Sequence, residues 1–127
     1  MLEVVAALVR NGERFLICRR PENKARGGQW EFAGGKVEPG ESRQQAIIRE
    51  FREELDVELE AGEVLADVEY RYPEIAVHLF LLEAKIASGK LKKLEHSETA
   101  WVTAREAAEY DLCPADRILL EKIYGGK

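Results

Sequence analysis

The chain has 127 residues, 46% of them hydrophobic and 34% charged, which fits one globular domain over 1–127 and excludes a disordered polypeptide. Its formal net charge of -5 argues against a nucleic-acid polymer as partner, because that affinity comes mainly from Lys and Arg neutralising phosphates. The opening stretch MLEVVAALVR carries Glu3 inside a short apolar run, so no signal peptide or membrane span is expected there, and the expected location is the cytoplasm.

In chain order, apolar runs at 2–9 and 14–20 flank Asn11-Gly12, and Asn-Gly between such runs predicts a β-hairpin. Ser42 with Gln45 three residues on forms a capping box and opens a helix near Arg43. Strands are expected over 66–72 and 75–86, separated near Pro73, and another over 98–104. Thr103 with Glu106 marks a second helix start. A last helix runs over 115–124, bounded by Pro114 and by Gly125-Gly126. Strands mixed with helices on this scale predict a layered α/β or α+β domain. Cys18 and Cys113, far apart and outside any CxxC or Cys/His pattern, read as reduced core thiols.

The central helix carries two stripes at about 100° per residue. Ile47, Ile48, Phe51 and Leu55 make a dry face; Glu50, Glu53 and Glu54 make an acidic one beside it. The acidic face either points into water or surrounds a hard divalent cation, and carboxylates at i, i+3 and i+4 repel unless such a cation sits among them. Arg49 stands one turn before Glu53, placed to pair with it and limit the repulsion. The preceding WEFAGGKVEPGE brings adjacent glycines beside Lys36, letting backbone approach a ligand closely. Lys36 and the Arg19-Arg20 pair either meet phosphate oxygens or face solvent. His78, in the apolar run IAVHLFLL, is a core or pocket residue, and Trp30, Tyr70, Tyr72 and Phe80 are candidates for stacking on a base or for the core.

The run from Gly35 through Glu41 to Arg49-Glu50-Phe51-Arg52-Glu53-Glu54 and Asp56-Val57 resembles the Nudix box, the signature of hydrolases acting on nucleoside diphosphates linked to another group. With WEFAGGKVEPGE, EHSETAW and CPADRILL, the chain is similar nearly end to end to the MutT-like nucleoside triphosphate pyrophosphohydrolases, and within them to the branch described as CTP pyrophosphohydrolase. The resemblance implies an α+β Nudix fold, an α/β/α sandwich with a mixed β-sheet between helices. It implies Mg2+ or Mn2+ held by Glu50, Glu53 and Glu54 with the Gly34 carbonyl, and Glu50 or Glu95 as general base beside Arg49. Lys36 and Arg20 are the expected phosphate contacts, and Asp116 and His78 the expected base contacts. Ionised Asp116 would accept a hydrogen bond from a cytosine amino group; alternatively it is a charge at the start of the last helix.

Two positions depart from the family pattern. Asp56 stands where the pattern has Gly, and Phe51 where it has a bulky aliphatic residue. The implied reaction converts a nucleoside triphosphate to monophosphate and pyrophosphate by water attack at the β-phosphorus. The alternatives are 8-oxo-dGTP hydrolysis that cleans nucleotide pools for DNA repair, a nucleotide-sugar or dinucleoside polyphosphate substrate, and a non-catalytic nucleotide sensor; the intact Glu50, Glu53 and Glu54 speak against the last. Monomer and homodimer are both compatible with the sequence.

Overall fold

The computed structural model describes residues 1–125. Strands β1 (Leu2–Asn11) and β2 (Arg14–Arg19) form the expected hairpin, with Arg10 opposite Phe15 and Asn11 opposite Arg14. The two loop residues are therefore Gly12 and Glu13, one place beyond the expected Asn-Gly. Gly12 has a φ of 65°, which suits the glycine-first position of a type II′ turn.

Beyond this hairpin end the two strands part. β1 runs parallel to β6 (Ala76–Ser88) from Leu2 opposite Val77 to Val9 opposite Ala84, and β6 pairs antiparallel with β5 (Glu58–Arg71). β2 pairs with β7 (Glu98–Val102) and with the two-residue β3 (Trp30–Glu31), so it is flanked on both sides and Arg19 is not on an outer edge. The short β4 (Gly34–Lys36) lies along β1, with Gly35 opposite Val5 and Gly34 opposite Ala6. A Cβ at Gly34 would overlap the Val5 carbonyl, so this approach requires glycine.

Alternation along β1 divides the core. Val5, Ala7 and Val9 face helix α1 (Arg43–Leu55) with Ala46, Ile47, Phe51 and Leu55, while Ala6 and Leu8 face helix α3 (Pro114–Tyr124) with Leu119 and Leu120. The sheet is thus mixed and covered by helices on both faces, the α+β sandwich expected. Of the dry stripe of α1, Ile47, Phe51 and Leu55 are fully buried, joined by Ala46, while Ile48 is only half-buried at its margin; this fixes the rotation of the helix about its axis. Each such large side chain contributes about 1.5–3 kcal/mol through burial. Both capping boxes form, at Ser42–Gln45 and, for the four-residue α2 (Ala104–Ala107), at Thr103–Glu106. α3 begins at Pro114 itself and ends against Gly125; Gly126 lies outside the described residues.

Three elements differ from expectation. β5 starts eight residues before the anticipated strand at 66, with irregularities at Glu58/Leu59, Ala61/Val64 and Val64/Ala66 that break the two-residue period. β3 and β4 are too short to show any period. Asp56, where the family pattern has Gly, ends α1 in the left-handed conformation, with φ 58° and ψ 39°. Asp56→Gly is expected to stabilise the fold by about 0.5–1 kcal/mol, raising the melting temperature by a few degrees without altering turnover; thermal unfolding beside a rate assay checks both.

Candidate active site

Because the dry stripe of α1 is buried, Glu50, Glu53 and Glu54 emerge beside β4. Arg49 gathers them. Its Nε and Nη2 donate to the two oxygens of Glu41 at 2.7 and 3.0 Å, and its Nη1 donates to Glu50 at 2.8 Å and Glu53 at 3.1 Å. Nη2 also donates to the Lys36 carbonyl at 3.0 Å, tying the loop before the helix to the helix itself. The hydrogen bond from Arg49 holds the Glu41 carboxyl below the usual carboxylate range. The expected Arg49–Glu53 pair is therefore present, within a larger cluster.

Glu50 lies against Gly35, where any Cβ would overlap its carboxylate. Glu54 is largely buried, and its Oε1 has no hydrogen-bond partner among the described residues. Burial pushes its carboxyl up to about 10, reinforced by a hydrogen bond with Glu50 and by the charges of Glu50, Glu31 and Glu95. An all-oxygen donor set with one buried, unpartnered carboxylate oxygen fits a hard divalent cation. As the side chains stand, with Glu50 and Glu53 drawn to Arg49, no three Asp, Glu, His or Cys among the described residues converge on one point.

On the other side of Gly35 lies a cavity of about 220 Å³. Gly34, Gly35 and Lys36 line it toward the acidic helix, and Asp116, Cys113 and Tyr72 line it toward α3. Lys36 Nζ has no ion-pair partner among the described residues, whereas Arg20 donates to Glu31 at 2.9 Å and to the Ala25 carbonyl at 2.7 Å. Both cations line the cavity. Asp116 is buried, and its Oδ2 accepts from the Phe32 N–H at 2.9 Å. Burial, with the charge of Glu31 second, pushes its carboxyl up to about 8. Asp116 is consequently mostly protonated at neutral pH and has a proton to donate, unlike the acceptor-only carboxylate expected from the sequence.

Other expected residues fall elsewhere. His78 is not brought to the cavity: it stacks on Phe80 at 4.1 Å, its Nε2 lies 2.6 Å from Asp67, and its strand neighbours Val77 and Leu79 are the ones that line the cavity from the opposite face. Of the aromatic candidates only Tyr72 lines the cavity; Phe80 lies under the Arg43 guanidinium and Trp30 packs edge-on to Tyr110. Glu95 is exposed, 3.2 Å from Lys24, and its charge reaches Glu54. Glu31 was absent from the sequence expectations. It binds Arg20 through Oε1 and His96 through Oε2, the latter at 2.8 Å, and its charge acts on both Glu54 and Asp116. Its only sequence signal is its place just ahead of the glycine pair, which does not reveal a fold-brought partner 65 residues away.

Comparison with known proteins agrees with this geometry. The NUDIX domain model matches residues 2–123. The chain is 42% identical over 121 residues to the CTP pyrophosphohydrolase of Escherichia coli, covering 95% of this chain and 90% of that protein. It is 31% identical to the nucleoside triphosphatase NudI of Escherichia coli, covering 90% of each. The crystal structure of the MutT protein from Methanosarcina mazei superposes with a TM-score of 0.87 at 28% identity, covering 99% of this chain and 95% of that one. The chain belongs to the Nudix hydrolase family. Among the described residues, no helix is long and apolar enough to cross a membrane.

The raised carboxyls carry a stability consequence. Glu54 rises from an ordinary 4.5 to about 10 and Asp116 from 3.8 to about 8, so the folded state holds more protons than the unfolded one between those limits. Their contribution is complete below the ordinary values and is lost as pH rises toward the folded ones. With divalent cations chelated, the melting temperature is expected to fall between pH 6 and pH 9. Added Mg2+ and Glu54→Gln should each flatten that slope, as followed by thermal unfolding across the pH range.

Proposed function

We propose that the protein hydrolyses nucleoside triphosphates, with a preference for CTP or dCTP, to the monophosphate and pyrophosphate in a Mg2+-dependent reaction. The observation that carries this reading is the buried, unpartnered Oε1 of Glu54 beside Glu50, which itself lies against Gly35, across from a cavity that ends at Asp116. The 42% identity to a CTP pyrophosphohydrolase supports the choice of substrate.

Glu50, Glu53, Glu54 and the Gly34 carbonyl are the residues that would hold Mg2+ or Mn2+. Such an ion, when bound, neutralises phosphate charge and acidifies water. Arg49 gathers Glu50, Glu53 and the Lys36 backbone at one end of the acidic face, and Glu50 and Glu53 would turn from its guanidinium toward the ion when the ion binds. Lys36 and Arg20 meet the phosphates, where cationic donors stabilise the charge that develops as the bond to the leaving monophosphate breaks. Water attacks the β-phosphorus and its proton passes to a carboxylate. Glu50 is engaged by Arg49 and Glu54, whereas Glu95 has only an exposed lysine, so Glu95 is the assigned base. Arg49 is a positioning residue in this scheme.

Asp116 reads the base. A neutral carboxyl offers one donor and one acceptor, which matches the N3 acceptor and N4 amino donor on the edge of cytosine. Guanine presents the reverse order, which a rotated carboxyl also meets, so discrimination against 8-oxo-dGTP rests on the cavity walls as well.

Glu53→Gln keeps the side-chain volume and removes a charged ligand; turnover should fall by roughly two orders of magnitude or more while the melting temperature changes little. Unchanged turnover would remove Glu53 from the cation site. For Asp116, KM for CTP should rise as pH passes about 8, because the proton that is donated is then lost. Asp116→Asn, which keeps a donor and an acceptor at every pH, should abolish that rise, as steady-state kinetics from pH 6.5 to pH 9.5 would show.

A further inference from the structure

We propose that His96 is a positioning residue that fixes the catalytic loop bearing Glu95, through its bond to Glu31. The inference rests on the reading of Glu95 as the base. Between 87 and 98 every residue is exposed except the half-buried Leu91 and the buried His96. A histidine that is the only buried side chain of an otherwise exposed loop must be held by what it meets inside. His96 meets Glu31: the ring Nε2 lies 2.8 Å from Oε2, and the other oxygen of Glu31 is taken by Arg20 at 2.9 Å.

Packing alone does not account for this residue. The second ring nitrogen, Nδ1, is buried with no hydrogen-bond partner among the described residues. That is unfavourable for a polar atom, and an apolar side chain of similar size would fill the space without it. The loop's backbone is already tied to the end of α1, with the Lys92 and Leu94 amides donating to the Leu55 and Glu54 carbonyls at 2.9 and 3.0 Å. Glu95 therefore sits between the Leu94 amide on Glu54 and the His96 ring on Glu31, with the Ser97 amide donating to the Arg19 carbonyl at 3.0 Å just beyond. The first ties it to the helix that carries the acidic face and the second to the strand that holds Arg20. Remove the second, and the Ser97 amide still ties the backbone to Arg19, but the one side chain that fixes the loop against Glu31 beside Glu95 is gone and Glu95 gains room to shift. Misplacing a reacting group by about an ångström lowers rate on the order of a hundredfold.

The test is a double-mutant cycle on pyrophosphate release from CTP with Mg2+, using His96→Leu, His96→Gln, Glu95→Gln and the Leu/Gln double variant. His96→Leu should lower kcat at least about tenfold with KM within about twofold, and His96→Gln, which can donate from nearly the same point, should stay within about threefold of the parent. In the Glu95→Gln background His96→Leu should cost nothing more, because the group it positions is gone. Amide hydrogen exchange over 92–97 should quicken in His96→Leu and not in His96→Gln. Equal losses in both backgrounds, an effect on KM alone, full activity of Glu95→Gln, or unchanged exchange would each overturn the proposal. If His96→Leu does not fold, Glu31→Gln, which weakens the same bond from the other side, takes its place in the cycle. An inactive parent protein would overturn the triphosphate reading and this inference together; an active parent with additive variants would overturn this inference alone.

Discussion

Arg49 is the interaction on which the rest of the site depends. One guanidinium joins Glu41, Glu50, Glu53 and the Lys36 carbonyl. Without it the acidic face of α1 would carry mutually repelling carboxylates on free rotamers, and the loop from β4 to the helix would lack its tie to the helix surface. Arg49 can do this because the neighbouring stripe, Ile47, Phe51 and Leu55, is locked into the core and leaves the helix only one rotation. Hydrophobic burial thus sets where the charges go, and the arginine sets how they lie. The charged cluster is half-buried at Arg49, Glu41 and Glu50 and exposed at Glu53, and it owes its role to the geometry it imposes on these carboxylates.

Glu54 stands apart within this face, because its Oε1 is buried without a hydrogen-bond partner among the described residues. Burial and the nearby charges of Glu50, Glu31 and Glu95 favour its protonated form. The same Glu31 charge helps keep Asp116 protonated at the far end of the cavity. One carboxylate, held by Arg20 and His96, therefore biases two others toward neutrality from opposite sides. The cavity is lined by three cations, Arg20, Arg26 and Lys36, with Glu31 paired to Arg20, and by the Asp116 carboxyl at its α3 end.

Much of this was legible in the sequence because it is local. The capping boxes, the stripes of α1 and the pairing of Arg49 with Glu53 all follow from spacings of four residues or fewer. What could not be read depends on chain segments meeting. The Glu31–His96 bond spans 65 residues, and the face on which His78 falls is decided by the register of β6 against β1 and β5. A strand's period tells which residues share a face but not which face holds the cavity, so His78 and Phe80 were candidates that Val77 and Leu79 displaced. The protonation of Asp116 was equally hidden, since it follows from depth of burial rather than residue type. β5 was half missed because its bulges erase the alternation that identifies a strand.

The most direct test of the account is hydrolysis of CTP in isotopically labelled water with and without Mg2+, with both products examined by mass spectrometry. The account predicts turnover only with the cation, and label in pyrophosphate, as water attack at the β-phosphorus requires. Label in the monophosphate, turnover that survives chelation, or no cleavage of CTP at all would contradict it.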